Sequence, residues 1–306
     1  MSGTAWLVTI GLLQIVLLGA LIVGGGLLWR WSERAAHERD VRARKERREL
    51  ATSMAEDRRE WKQRMNRAAA SGARTALAEA RESDARAGSV RDIVRRGELR
   101  NYHQLEALMA LYTLLQPTAP LPQMRRYALS PDAGWVLVDE ILQGEPKIVV
   151  ECGSGASTIL IGLALRQVGS DGRVIALEHD PTFAARTREE VERLGLGEVA
   201  EVAHAPLSPQ WLRGRSFEWY DPRAVEGIES IDLILVDGPP RSTGELARYP
   251  ALPMLADKWA LDGTLLLDDA DREDETRIRE LWEADCGPLA MDHVRSEKGL
   301  LVVRRR

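Results

Sequence analysis

Along the C-terminal two-thirds of this chain, short unbroken apolar runs alternate with longer mixed stretches. Four of the runs end in acidic or glycine residues: I-V-V-E-C-G-S-G-A-S-T from Ile148, V-I-A-L-E-H-D from Val174, I-D-L-I-L-V-D-G-P-P from Ile231 and G-T-L-L-L-D-D-A-D from Gly263. Continuous apolar runs suit strands buried on both faces of a parallel sheet, and in such sheets ligands bind beyond the carboxyl ends of the strands. Strands are predicted at 147–151, 173–178, 199–204, 231–237, 263–268, 291–295 and 300–304. The last two lie too close for a crossover helix, so they form an antiparallel hairpin at one edge. Between the strands, Ser130-Pro131 starts a helix to about Leu142, another spans 157–168, Pro181 opens one that ends near Gly195, and one begins near Arg272. Alternating helix and strand predicts a doubly wound α/β domain over 101–306.

The N-terminal pattern is different. From residue 5 to 31 the chain is almost free of charge, and the run exceeds the roughly 20 residues needed to cross a bilayer. Trp6, Trp29 and Trp31 flank it and a dense group of Arg and Lys from Arg30 follows, which predicts a single-pass membrane helix with its N-terminus outside and the remainder cytoplasmic. A cleaved signal peptide would begin with basic residues, and Met1–Thr4 have none. Residues 32–100 are rich in Arg, Glu and Ala and carry opposite charges four apart, as in Arg34 with Glu38 and Glu60 with Arg64, predicting a long charged helix. Leu50, Met54, Trp61 and Met65 share one face, so this segment reads either as a spacer or as a short coiled coil joining a homo-oligomer. Gly88 and Gly97 are expected to loosen or end the helix before an amphipathic stretch at 105–115.

Composition alters this picture little. Of 306 residues 44% are hydrophobic, which is enough for a sizeable core, and a formal net charge of -5 argues against a nucleic-acid partner. Cys152 and Cys286 are the only cysteines, and Cys152 lies in the first glycine-rich turn, where a disulfide would crowd a ligand. Reduced thiols in a reducing compartment follow.

The polar residues at the strand ends carry the chemistry. A glycine turn after a first strand also occurs in nicotinamide oxidoreductases, but their fingerprint asks for glycine or alanine where this chain has Thr158, and it does not require a carboxylate such as Glu151. The arrangement E-x-G-x-G at Glu151, Gly153 and Gly155, with a second carboxylate, Glu178, ending the next strand, resembles class I S-adenosylmethionine-dependent methyltransferases. Over about 121–304 the resemblance extends to S-P-D before the first strand, D-G-P-P after Val236 and L-D-D-A-D-R after Leu267, as in an O-methyltransferase-like branch. It implies a Rossmann-like, mostly parallel seven-stranded sheet and S-adenosylmethionine as cofactor. The cofactor set so implied is Glu151, Gly153, Gly155, Ser157, Glu178, His179, His204, Ala205 and Asp237. Glycines at 153 and 155 leave no Cβ between loop and ligand, the following helix N-terminus suits the methionine carboxylate, and Glu178 suits the ribose hydroxyls. Glu151 as a cap of its own loop and His204 as a packed surface histidine are alternatives.

Asp237, Asp268 and Asp269 end neighbouring strands roughly 4.8 Å apart. Uncompensated, carboxylates that close repel, and a magnesium ion would remove the conflict. Metal-dependent O-methyltransferases of the catechol type carry an aspartate and an Asp-Asn pair at these positions, so the resemblance implies Asp237, Asp268 and Asp269 as catalytic and metal-binding residues, with aspartate replacing the asparagine. The lysine that the family carries three residues after the first aspartate is here Pro240. The alternative reading has Asp237 facing the cofactor amine or the substrate, and Asp268 or Asp269 capping the next helix. Substrate contacts are expected from loops at 211–222 and 241–249, with Trp219, Tyr220, Arg241, Arg248 and Tyr249. The expected function is methyl transfer by a membrane-anchored cytoplasmic enzyme, most simply at oxygen, to a small molecule, a lipid-linked intermediate or a glycan. An inactive scaffold with a methyltransferase fold is the alternative of another class.

Overall fold

The computed structural model describes residues 90–169 and 171–306. The expected membrane helix at 5–31, and the charged helix as far as residue 89, lie outside the described residues. Among those described, no helix is long and apolar enough to cross a membrane.

The described part opens with helix α1, Val90–Leu115, which runs through Gly97 without a break. The sequence puts the start of the domain at 101, inside this helix. A glycine in mid-helix costs only about 1 kcal/mol, and α1 offsets it by burying Gln104, Ala107, Leu111 and Leu115, spaced three, four and four apart. That face packs on α2, Pro131–Gly144. Ser130 precedes α2 as expected but does not cap a backbone N–H; its hydroxyl donates to Asp132 Oδ1 at 2.6 Å.

The remaining elements follow in order: β1 Ile148–Cys152, α3 Ala156–Val168, β2 Arg173–Glu178, α4 Pro181–Arg193, β3 Ala200–His204, β4 Leu207–Leu212, β5 Arg215–Tyr220, β6 Ile231–Val236, α5 Ala251–Leu255, β7 Trp259–Asp268, α6 Glu273–Asp285, β8 Leu289–Val294 and β9 Leu300–Arg305. Seven strands form one sheet in the order β3-β2-β1-β6-β7-β9-β8. The first five are parallel and β9 and β8 antiparallel, so the expected edge hairpin is present, with β9 inserted beside β7. Successive side chains of the central strands point to opposite faces. Val149, Leu233, Leu235 and Leu266 enter one core with α1 to α4, whereas Val150, Ile234, Val236, Leu265 and Leu267 enter another with Trp282 of α6 and the aromatic residues of β5.

One expectation fails here. The stretch expected as a substrate loop from Trp211 to Pro222 is largely the hairpin of β4 and β5. β4 is half-buried to exposed and carries Pro209, and the three buried aromatics of β5 are interrupted by Glu218, so neither strand shows the apolar run that marks a central strand.

The parallel arrangement places the ends of β1, β2, β6 and β7 at one edge, and the β8–β9 turn returns to the same edge because Leu300 pairs with Asp268. That turn depends on Gly299, which has φ +76°, and a Cβ there would lie 2.7 Å from the backbone nitrogen of Asp271. Gly195 has φ +64° but open space around it. Gly299→Ala is therefore expected to cost about 2 to 4 kcal/mol and Gly195→Ala about 1 kcal/mol. Urea unfolding of the two variants checks this, and equal losses would mean that the contact with Asp271 has no weight.

Candidate active site

The glycine turn between β1 and α3 is the first part of the site. Gly153 has φ +106°, a conformation that favours glycine, and its N–H donates to Leu177 O at 2.9 Å, tying the turn to β2. Glu151 is fully buried beneath it. Its Oε1 accepts from the Ser157 hydroxyl and its Oε2 from Thr158 Oγ1 at 2.6 Å, while Thr158 Oγ1 accepts from Gly155 N–H at 3.0 Å. Glu151 and Ser157, both expected to bind cofactor, thus hold each other and brace the turn. Thr158, which departs from the nicotinamide fingerprint, is the relay between the carboxylate and the glycine. Burial pushes the Glu151 carboxyl up to about 7 against the pull of these two hydroxyl bonds.

Glu178 ends β2 beside this turn and is nearly buried. It accepts from Ser154 Oγ at 3.0 Å and from Asp180 N–H at 3.0 Å, and His179 Nδ1 lies 3.0 Å away. A carboxylate offers about four lone-pair sites, so acceptor capacity remains for a ligand. His204 pairs in register with Glu178 and is exposed, and buried Ala205 donates its N–H to Glu178 O at 2.8 Å. The whole expected cofactor set therefore gathers around the ends of β1, β2, β3 and β6.

Tyr220, expected from the sequence as a substrate contact in a loop, lies instead at the end of β5. Its hydroxyl is buried without a hydrogen-bond partner among the described residues, and it sits where a Cβ on Gly238 would come within 2.4 Å. Burial, with the charges of Cys152 and Glu178, raises its pKa well above the ordinary tyrosine range, so it stays protonated. An unpaired buried hydroxyl costs about 1–3 kcal/mol, which a ligand at the β6 end would recover.

The second cluster differs from expectation. Asp237, Asp268 and Asp269 do converge, each with an oxygen within 4.8 Å of the others. They are not uncompensated. Arg248 is buried among them and donates from Nη1 to Asp268 O at 2.9 Å and from Nη2 to Asp237 O at 2.6 Å, with Asp237 Oδ1 at 3.3 Å and Asp269 Oδ2 at 3.0 Å. Lys298, from the β8–β9 turn, places Nζ 2.9 Å from Asp268 Oδ2 and 3.0 Å from Asp269 Oδ1. Arg272 Nη1 lies 2.8 Å from Asp269 Oδ2. Burial and the neighbouring Asp268 charge raise the Asp237 carboxyl well above the usual range, and burial raises Asp268. Oδ1 of Asp268 is buried without a hydrogen bond among the described residues.

Three carboxylates are a suitable donor set for a hard cation, but a dication does not fit this arrangement. Arg248, Lys298 and Arg272 already pair with them, Arg248 being shared with buried Glu275, and Lys298 stands against two of them. The electrostatic reason for expecting magnesium is removed by residues distant in sequence. Several residues expected to contact substrate are also corrected: Arg248 is an internal counterion, Trp219 is buried, and Tyr249 is buried with its hydroxyl donating to Asp285 Oδ2 at 2.7 Å. Arg241 is exposed and pairs with Asp274 at 3.1 Å. Neither Asp268 nor Asp269 caps α6, whose N-cap is Arg272.

The profile of a family described as "Methyltransferase domain" matches residues 150–270, which contain the glycine turn, Glu178 and all three aspartates. Residues 150–270 thus match the profile of a methyltransferase domain. Among solved structures it resembles the SAH-bound methyltransferase PaMTH1 of Podospora anserina, at 14% identity and TM-score 0.51, covering 72% of this chain and 97% of that one. This likeness shows that the domain has the methyltransferase fold. Other similar structures are the O-methyltransferase of Bacillus cereus in complex with SAH, at 16% identity, TM-score 0.46 and coverages of 73% and 94%, and the O-methyltransferase TomG of Streptomyces achromogenes with SAM, at 14%, 0.46 and coverages of 68% and 96%. No curated protein matches. For the methyltransferase domain, the Glu151 brace predicts a pH effect. A folded-state value near 7 against 4.5 unfolded means that the native state holds the proton longer, so stability falls as pH rises from about 4.5 to about 7. Glu151→Gln, which is neutral throughout, is expected to flatten that decline in denaturation curves; an unchanged slope would show that Glu151 is not its source.

Proposed function

We propose that this chain transfers the methyl group of S-adenosylmethionine to an oxygen of an acceptor. The observation that carries this reading is the placement of the glycine turn, Glu178 and the unpaired Tyr220 hydroxyl around one edge of a methyltransferase domain, next to the aspartates at the ends of β6 and β7. When bound, the cofactor supplies an electrophilic methyl group, whose carbon–sulfur bond breaks with its electron pair left on sulfur as the acceptor oxygen bonds to carbon.

The chain's own residues hold and orient the reactants. The N-terminus of α3 presents free N–H groups and the positive end of a helix dipole to the methionine carboxylate, and Glu178 accepts the ribose hydroxyl protons. His204 and Ala205 border the adenine, and Tyr220 donates its unpaired hydroxyl to the cofactor. Asp237 keeps some exposed surface at the end of β6, so it takes the proton leaving the acceptor hydroxyl. Most of the acceleration comes from alignment of methyl and oxygen.

The acceptor lies in the groove between α1 and residues 121–131. This groove, about 1120 Å³, has Leu105, Tyr112 and Met124 among its walls and Lys298 at the end nearest the aspartates. Its apolar wall suits an acceptor with an aromatic or aliphatic body. In this reading residues 5–31 hold the domain at a membrane on the cytoplasmic side, which the long uncharged run and the basic residues after it support. A membrane position favours an acceptor made there, small or lipid-linked.

Calorimetric titration of the full-length protein with S-adenosylhomocysteine tests the cofactor. Micromolar binding is expected, and Glu178→Ala should weaken it by about 10- to 100-fold, since a hydrogen bond to a charged group contributes about 1.5–3 kcal/mol. Absence of binding by the wild-type protein would exclude the reading.

A further inference from the structure

The cation contacts in the aspartate cluster carry a specific assignment. We propose that the ammonium group of Lys298 takes the place of a divalent ion in this site, so that methyl transfer here needs no metal and Lys298 supplies the positive charge beside the acceptor oxygen. This rests on the methyl-transfer reading above.

Geometry supports it from three sides. First, Nζ of Lys298 lies within 3.0 Å of one oxygen from each of Asp268 and Asp269, and its other neighbour is Ala128 O at 3.4 Å. Second, the turn that delivers it is tied down on both sides. Asp271 N–H donates to Lys298 O at 3.0 Å, Ala270 N–H donates to Gly299 O at 3.1 Å, and Glu297 accepts from Arg125 Nη2 at 2.6 Å. A lysine so held is a fixed charge rather than a solvated arm, with only 16% of its side chain exposed. Third, the same residue lines the acceptor groove, so one charge touches both the aspartates and the space for the acceptor. Lys298 and Arg248 together bring two positive charges, the charge of one dication, and a dication entering among Asp237, Asp268 and Asp269 would meet both. An ammonium cannot match the Lewis acidity of a metal, but as a hydrogen-bond donor it stabilises the negative charge that develops on the oxygen. Asp237 has no direct contact with Lys298, only with Arg248 at 3.3 Å from Oδ1, and takes the proton.

The test is manganese binding by the full-length protein, followed by electron paramagnetic resonance, with S-adenosylhomocysteine titrated in parallel. Manganese accepts the same oxygen ligands as magnesium. The wild-type protein is expected to show no saturable site that Asp268→Asn removes. Lys298→Ala, which leaves the carboxylates without their nearest cation, is expected to gain such a site, with affinity at least about tenfold above wild type. A wild-type site abolished by Asp268→Asn would overturn the proposal. So would a Lys298→Ala protein that melts cooperatively and still takes no ion. Lys298→Gln, similar in length but uncharged, serves if the alanine variant fails to fold, and the wild-type arm stands without either. Loss of S-adenosylhomocysteine binding alone would count against the methyl-transfer reading, whereas normal binding with a wild-type manganese site counts against Lys298 only.

Discussion

The edge of the sheet that carries the chemistry depends on Arg248. Its guanidinium is buried and donates to the backbone carbonyls of Asp237 and Asp268, the residues at which β6 and β7 give way to loops. The same group lies against the Asp237 and Asp269 carboxylates and, at 3.4 Å, Glu275. A planar fork of five donors can serve two carbonyls and several carboxylates at once, which an ammonium cannot. Buried charge is tolerated only when paired, so the three aspartates stay together because Arg248 and Lys298 come with them. From this follow the positions of the loops after β6 and β7, and the separation of one acidic cluster from the glycine turn with Glu178.

Two different devices thus hold carboxylates on the same edge. Burial raises the Glu151 carboxyl against the pull of two hydroxyl groups from the first turn of α3, and the three together brace the glycine turn. The aspartates are paired with full charges from other segments, and one of these, Lys298, also lines the groove between α1 and residues 121–131. Tyr220 stands between the two groups, with a hydroxyl that no described residue satisfies. Separation of the glycine turn and Glu178 from the aspartate cluster is a natural result of the sheet order, because β1 and β2 carry the first group and the neighbouring β6 and β7 the second.

Much of this was legible in the chain. All seven strands of the main sheet were placed, the central ones by continuous apolar runs because they are buried on both faces, and the polar ends of those runs gave the glycine turn, Glu178 and the aspartates. The β4–β5 hairpin was not legible, because β4 is half-exposed and the buried aromatics of β5 are broken by Glu218, so neither strand leaves such a run. Arg248 and Lys298 were hidden for another reason. Each lies in a segment whose local pattern reads as a loop, and arginine is common throughout the chain, so nothing local distinguishes a buried counterion from a surface one. One signal was available: three acidic residues predicted at neighbouring strand ends require positive charge, and that charge was sought in a metal instead of in the chain. Lys298, preceding the glycine of a hairpin turn at the same edge, was the residue to consider.

The account stands on charge balance within the chain, and a double-mutant cycle between Arg248 and Asp269 measures it most directly. Arg248→Met and Asp269→Asn each strand a buried charge, whereas the double variant removes both. Unfolding free energies should show the double variant less destabilised than the sum of the single changes, with a coupling of about 1–3 kcal/mol. Strict additivity would contradict the account, because it would mean that Arg248 and Asp269 do not sense each other and that the aspartates are held together by something else.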